Sequence, residues 1–102
     1  ELFMAAINAC MTVGYVATAA TMGVSIRSLK IKATGGLDLQ GFLDLNDAVK
    51  PGYEHLDYEV IIDGDGTAEQ YQAIHENVIK TSPNRWNAAN AIQLNATLKH
   101  NA

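Results

Sequence analysis

The chain has 102 residues, 48% of them hydrophobic and 18% charged, with a net charge of -4 and an isoelectric point near 5.1. These values describe one small domain over residues 1–102 whose core is only just adequate, so burial against a partner subunit is expected. The absence of a basic stripe excludes nucleic acid as a partner, and the single cysteine excludes an internal disulfide scaffold and fits the reducing cytoplasm.

The first element is "ELFMAAINACMTVGYVATAATMGVSI", in which no charged residue falls between Glu1 and Arg27. A run of about 20 apolar residues can span a bilayer. Here Asn8, Thr12, Thr18, Thr21 and many alanines lower the transfer energy, and no Lys/Arg cluster flanks the run, which argues against a membrane segment. The acidic Glu1 argues against a signal peptide. The run predicts a helix apolar nearly all round, enclosed by protein. Ala6, Cys10, Gly14, Ala17 or Thr18, and Thr21 place small side chains along one stripe where another backbone can approach closely. Leu2, Ile7, Val13, Tyr15, Val16 and Met22 supply bulk elsewhere, and Gly23 ends the helix.

Period two follows in "SIRSLKIKAT", where Leu29, Ile31 and Ala33 alternate with Ser28, Lys30 and Lys32 as in a strand with one wet face. "GGLDLQGFLDLNDAVKPGY" reads as a long irregular loop or short helical turn, packed through Leu37, Leu39, Phe42 and Leu43. "YEHLDYEVIID" predicts a second strand with Leu56, Tyr58, Val60 and Ile62 on one side. Thr67 and Gln70 form a capping-box pattern at the head of a helix whose apolar face is Tyr71, Ile74, His75, Val78 and Ile79. Ser82-Pro83 interrupts that helix, "NRWNAAN" turns, and "AIQLNATLKH" alternates as a last strand. The order predicts an α+β fold with an incomplete sheet, too small to enclose the first helix without residues from outside the chain.

Motifs for metal or cofactor chemistry are weak. "DGDGTAE" has Ala68 where a calcium loop needs glycine and Ile74 where it needs the bidentate glutamate. His75 lies on an apolar helix face with no second ligand at metal spacing, so it reads as a partly buried structural histidine. The sequon Asn95-Ala96-Thr97 is short and common and carries no weight. No metal or cofactor is expected. Trp86, beside a helix end, reads as core or as the lining of a pocket for a small hydrophobic ligand.

The element order, with "ELFMAAINACMTVGY", "LDLQGFLDLNDAVKPGYEHLDYEVIIDGD" and "TSPNRWNAANAIQL", resembles the OsmC/Ohr superfamily of osmotically inducible and organic hydroperoxide resistance proteins. The likeness covers essentially the whole chain. It implies an intertwined homodimer with central cysteine-bearing helices, a second helix on an antiparallel-rich sheet, and family strands that precede residue 1. It also implies reduction of organic hydroperoxides by a thiolate that becomes a sulfenic acid, which a second cysteine resolves as a disulfide. Cys10 matches the attacking thiol. Glu1 falls one residue past the family's activating glutamate, and neither Arg27 nor Arg85 matches its arginine. Ser82, before Pro83, stands where the family has its resolving cysteine, and a hydroxyl cannot form that disulfide. The resemblance therefore implies either a peroxidase that resolves Cys10 with an external thiol, or a non-catalytic homodimer of the same fold that binds small hydrophobic molecules.

Overall fold

A computed structural model of the protein describes residues 1–100. In chain order the elements are α1 (Leu2–Thr21), β1 (Ile26–Thr34), α2 (Leu39–Phe42), β2 (Asp57–Gly64), α3 (Ala68–Thr81) and α4 (Pro83–Ala89). Helices and an antiparallel two-stranded sheet make this an α+β fold, as the pattern of periods predicts.

α1 stops where the sequence places its stop. Gly23 adopts φ of 72°, which glycine reaches without the steric cost of a Cβ, and the turn lets Val24 donate to the Ala19 carbonyl at 2.9 Å. Val24 is thereby buried beneath the chain as it enters β1. β1 and β2 then pair with Leu29 opposite Ile62, Ile31 opposite Val60 and Ala33 opposite Tyr58. These are the inward positions of the two alternating patterns, and the intervening Lys30, Lys32, Glu59 and Ile61 face solvent. Lys32 lies directly across from Glu59 on the wet face, a pairing of opposite charges that favours this register.

α3 begins with the predicted capping box: Gln70 N–H donates to Thr67 Oγ1 at 3.2 Å, and Thr67 N–H donates to Gln70 Oε1 at 2.9 Å. Its Ile74 and Val78 are buried against α1. The crossing point is Gly14, where a Cβ would already lie 3.4 Å from Val78 Cγ2. At Gly14, therefore, the stripe of small residues seats α3 of the same chain. The core is Ile7, Met11, Tyr15, Ala19, Val24, Ile74 and Val78.

α1 is long and apolar enough to cross a membrane by length and composition. One of its faces covers the sheet and α3, through Ile7, Met11, Tyr15 and Ala19. Its opposite face, including Leu2, Val13 and Val16, is open in the single chain, with Val13 69% exposed. Enclosure of this helix, where it occurs, comes from outside the chain. The molecule is correspondingly elongated, 60 × 30 × 19 Å with a radius of gyration of 17.9 Å, against about 13 Å for a compact domain of this length.

Three local expectations are corrected. Residues 91–100 form no strand and pair with nothing in the sheet, and Ile92, Leu94 and Leu98 are exposed. Alternation alone does not make a strand when no sheet edge receives it. "NRWNAAN" belongs to α4 rather than to a turn, because Pro83 occupies the first helical position, where its missing N–H costs nothing. Leu37, Leu39, Phe42 and Leu43 point outward rather than into the core. Their loop is held by polar bonds instead: Gln40 N–H donates to Asp38 Oδ1 at 3.0 Å, and Ala48 N–H to Asn46 Oδ1 at 3.0 Å.

Candidate functional site

The proline that ends α3 also shapes the surroundings of the cysteine. A residue before proline is driven out of the helical region, and Ser82 has φ -67° and ψ 117° between α3 and α4. Its N–H donates to the Val78 carbonyl at 2.9 Å, and its carbonyl accepts from Trp86 N–H at 3.0 Å, so its backbone is satisfied on both sides. The side chain caps neither helix. Ser82 is only 5% exposed, so its hydroxyl needs a protein partner. That partner is Cys10, a free and half-buried thiol on α1, whose Sγ accepts from Ser82 Oγ at 3.6 Å. Two positions separated by 72 residues are thus joined by the packing of α1 against the α3–α4 junction.

The remaining candidates do not converge on the sulfur. The Glu1 carboxylate takes part in no hydrogen bond or ion pair among the described residues, and the α-amino group of Glu1 donates to Tyr53 Oη at 3.4 Å. Arg27 is exposed and bonds Asp63 at 3.0 Å at the far end of the sheet. That carboxylate, through its hydrogen bond first and its charge second, raises the guanidinium above its ordinary range. Arg85 donates from Nε to Tyr58 Oη at 2.8 Å and from Nη1 to the Ile79 carbonyl at 3.4 Å. Trp86 is 56% exposed on α4, so its reading as core is corrected: the short helix turns its indole outward. Among the described residues no group of three or more His, Cys, Asp or Glu side chains converges to hold a metal ion.

A second polar cluster lies on the inner face of the sheet. Tyr15 from α1 and His75 from α3 share a hydrogen bond between Oη and Nδ1, their rings stacked with centroids 6.0 Å apart. His75 is therefore a satisfied, half-buried histidine, as its place on an apolar face suggests. The Tyr15 phenol is pushed up to about 12, by burial first and by the neighbouring Tyr58, with Arg85 opposing. Tyr15, Tyr58, Tyr71 and His75 line a cavity of about 480 Å³, and Tyr71 Oη accepts from Gly66 N–H at 2.9 Å. Tyr71 and His75 share the apolar face of α3 at a spacing of four, whereas Tyr15 from α1 and Tyr58 from β2 join them only through the fold.

Chemically the cysteine site offers one accessible thiol, a hydroxyl donor against its sulfur, and no second thiol in the chain.

Residues 1–97 match the family model described as OsmC-like protein. Among solved structures, the crystal structure of an OsmC like protein from Mycoplasma pneumoniae is similar, with a TM-score of 0.74 and 13% identity over 88% of this chain and 60% of that one. At that identity the likeness is one of fold, and this chain spans 60% of that protein's length. No curated protein matches the sequence.

Proposed function

Since the chain belongs to the OsmC-like family, we propose that it is a thiol-dependent reductant of organic hydroperoxides with Cys10 as the attacking sulfur and an external thiol in place of a resolving cysteine. The observation that carries this reading is the Ser82 hydroxyl, 3.6 Å from the sulfur of the half-buried Cys10.

The steps balance without a metal or a second protein thiol. The Cys10 thiolate attacks the distal oxygen of ROOH, the S–O bond forms as the O–O bond breaks, and the departing alkoxide takes a proton to leave as ROH. Cys10 is then a sulfenic acid. A thiol R′SH displaces water from it to give the mixed disulfide, and a second R′SH releases R′SSR′ and restores the Cys10 thiol. Ser82 donates its O–H to the sulfur of the resting thiol and so holds a polar group against the reacting atom. It cannot close a disulfide, so the sulfenic acid awaits the external thiol, which a reducing cytoplasm supplies.

The active species in this proposal is a homodimer, in which the open face of α1 around Val13 and Val16 is covered by the second copy. The exposure of that face and the elongated shape support it.

A second reading keeps the dimer and removes the chemistry: a non-catalytic protein that binds small hydrophobic molecules. It is favoured by the lack of any arginine hydrogen-bonded to Cys10 among the described residues, since a neighbouring cation is what lowers a thiol's pKa. Steady-state turnover of cumene hydroperoxide with dithiothreitol separates the two. The enzyme reading predicts turnover that disappears in Cys10→Ser, and equal consumption by both proteins overturns it.

A further inference from the structure

We propose that Arg85 is the anchor of a second ligand site, independent of Cys10, that takes a small monocarboxylate with an apolar body. The observation is Arg85, a half-buried residue whose guanidinium forms no ion pair among the described residues. Arginine keeps its charge in proteins, and a partly desolvated charge without a counter-ion is costly. Arg27 shows the contrast: it is exposed, and yet it is paired with Asp63 at 3.0 Å.

Arg85 is also held in place. Its Nε is fixed by Tyr58 Oη at 2.8 Å and its Nη1 by the Ile79 carbonyl at 3.4 Å. Nη2 and the second proton of Nη1 have no protein partner among the described residues. A guanidinium with Nη donors left over can donate to both oxygens of a carboxylate.

The guanidinium lines a cavity of about 310 Å³ whose other walls include Ile7, Leu56, Tyr58 and Ala88. That volume is near the lower limit of small-molecule sites and suits a ligand of roughly ten non-hydrogen atoms. The cavity wall also includes the exposed Glu54 and His55, and His55 lies 3.9 Å from Asp57. Arg85 facing the Glu54 carboxylate, with Asp57 close behind His55, in a chain of net charge -4, favours a monoanion over a phosphate dianion. The apolar walls require the rest of the ligand to be aryl or alkyl.

Phenylacetate and its neutral isostere phenylacetamide test the site on the unmodified protein. The sole tryptophan, Trp86, adjoins Arg85 and reports binding by its fluorescence, with ligand-observed NMR as a second readout. Phenylacetate is expected to saturate at millimolar concentration and the amide to bind about ten- to a hundredfold more weakly, the range of a charge-assisted hydrogen-bonded pair. Arg85→Gln should abolish the preference for the acid. Ala88→Leu should weaken both ligands by filling the cavity while circular dichroism stays unchanged. Cys10→Ser should leave binding intact, so that failure here and failure of the hydroperoxide reading are distinguishable. Equal binding of acid and amide, undiminished phenylacetate binding in Arg85→Gln, or no saturation by phenylacetate each overturns the proposal.

Discussion

Replacing Ser82 by cysteine turns the closest polar contact of Cys10 into a measurable crosslink. The two side-chain atoms are already 3.6 Å apart, and a disulfide needs them at about 2.05 Å, a gap that small χ rotations can close. The bond would tie together residues separated by 72 positions. For a loop of that length the chain-entropy expression gives a stabilisation of about 4 kcal/mol, reduced by whatever strain closure imposes. The assay is the urea midpoint of oxidised Ser82→Cys with and without dithiothreitol, together with free-thiol titration and intact mass. The oxidised variant should have no free thiol, weigh two hydrogens less per chain, and unfold at a higher urea concentration than its reduced form. A folded variant that keeps both thiols under oxidised glutathione, or that crosslinks only between chains, would refute the placement of Ser82 against Cys10.

Other perturbations test the frame around the site. Thr67→Ala removes one arm of the α3 capping box and should cost about 1 kcal/mol in urea unfolding. Ile74→Ala empties a fully buried position between α1 and α3 and should cost about 2–5 kcal/mol, depending on how far the helices close over the gap. Tyr15 makes stability depend on alkaline pH. Its phenol holds its proton up to about 12 in the fold, against about 10 when unfolded, so the folded state binds more protons in that window. The urea midpoint should therefore fall as pH rises above about 10, and Tyr15→Phe should flatten this fall. An equal decline in both proteins would contradict the assignment.

Much of the fold was legible because local signals and tertiary structure agree. Gly23, the Thr67–Gln70 box and the alternation in β1 and β2 each specify local geometry that packing then uses. The errors fall where a local pattern needs a distant partner. Residues 91–100 alternate like a strand but pair with neither free edge of the two-stranded sheet. The leucines around α2 look like core and yet nothing in the chain covers them. Ser82-Pro83 signals the end of a helix, yet the same proline opens α4. The site was legible in its parts and not in its geometry. The family resemblance pairs Cys10 with Ser82 as attacking and resolving positions, but no spacing in the chain shows their contact, which the crossing of α1 over the α3–α4 junction creates. The cluster of Tyr15, Tyr58, His75 and Arg85 carried no spacing signal, since its members come from α1, β2, α3 and α4.

The central claim is that Cys10 reacts with hydroperoxides and waits as a sulfenic acid for an external thiol. It is tested most directly by mixing the protein with an alkyl hydroperoxide in the presence of dimedone, without reductant, and measuring intact mass. The account predicts one dimedone adduct per chain, mapped to Cys10 and absent in Cys10→Ser. A wild-type chain that remains unlabelled while hydroperoxide is in excess would contradict it.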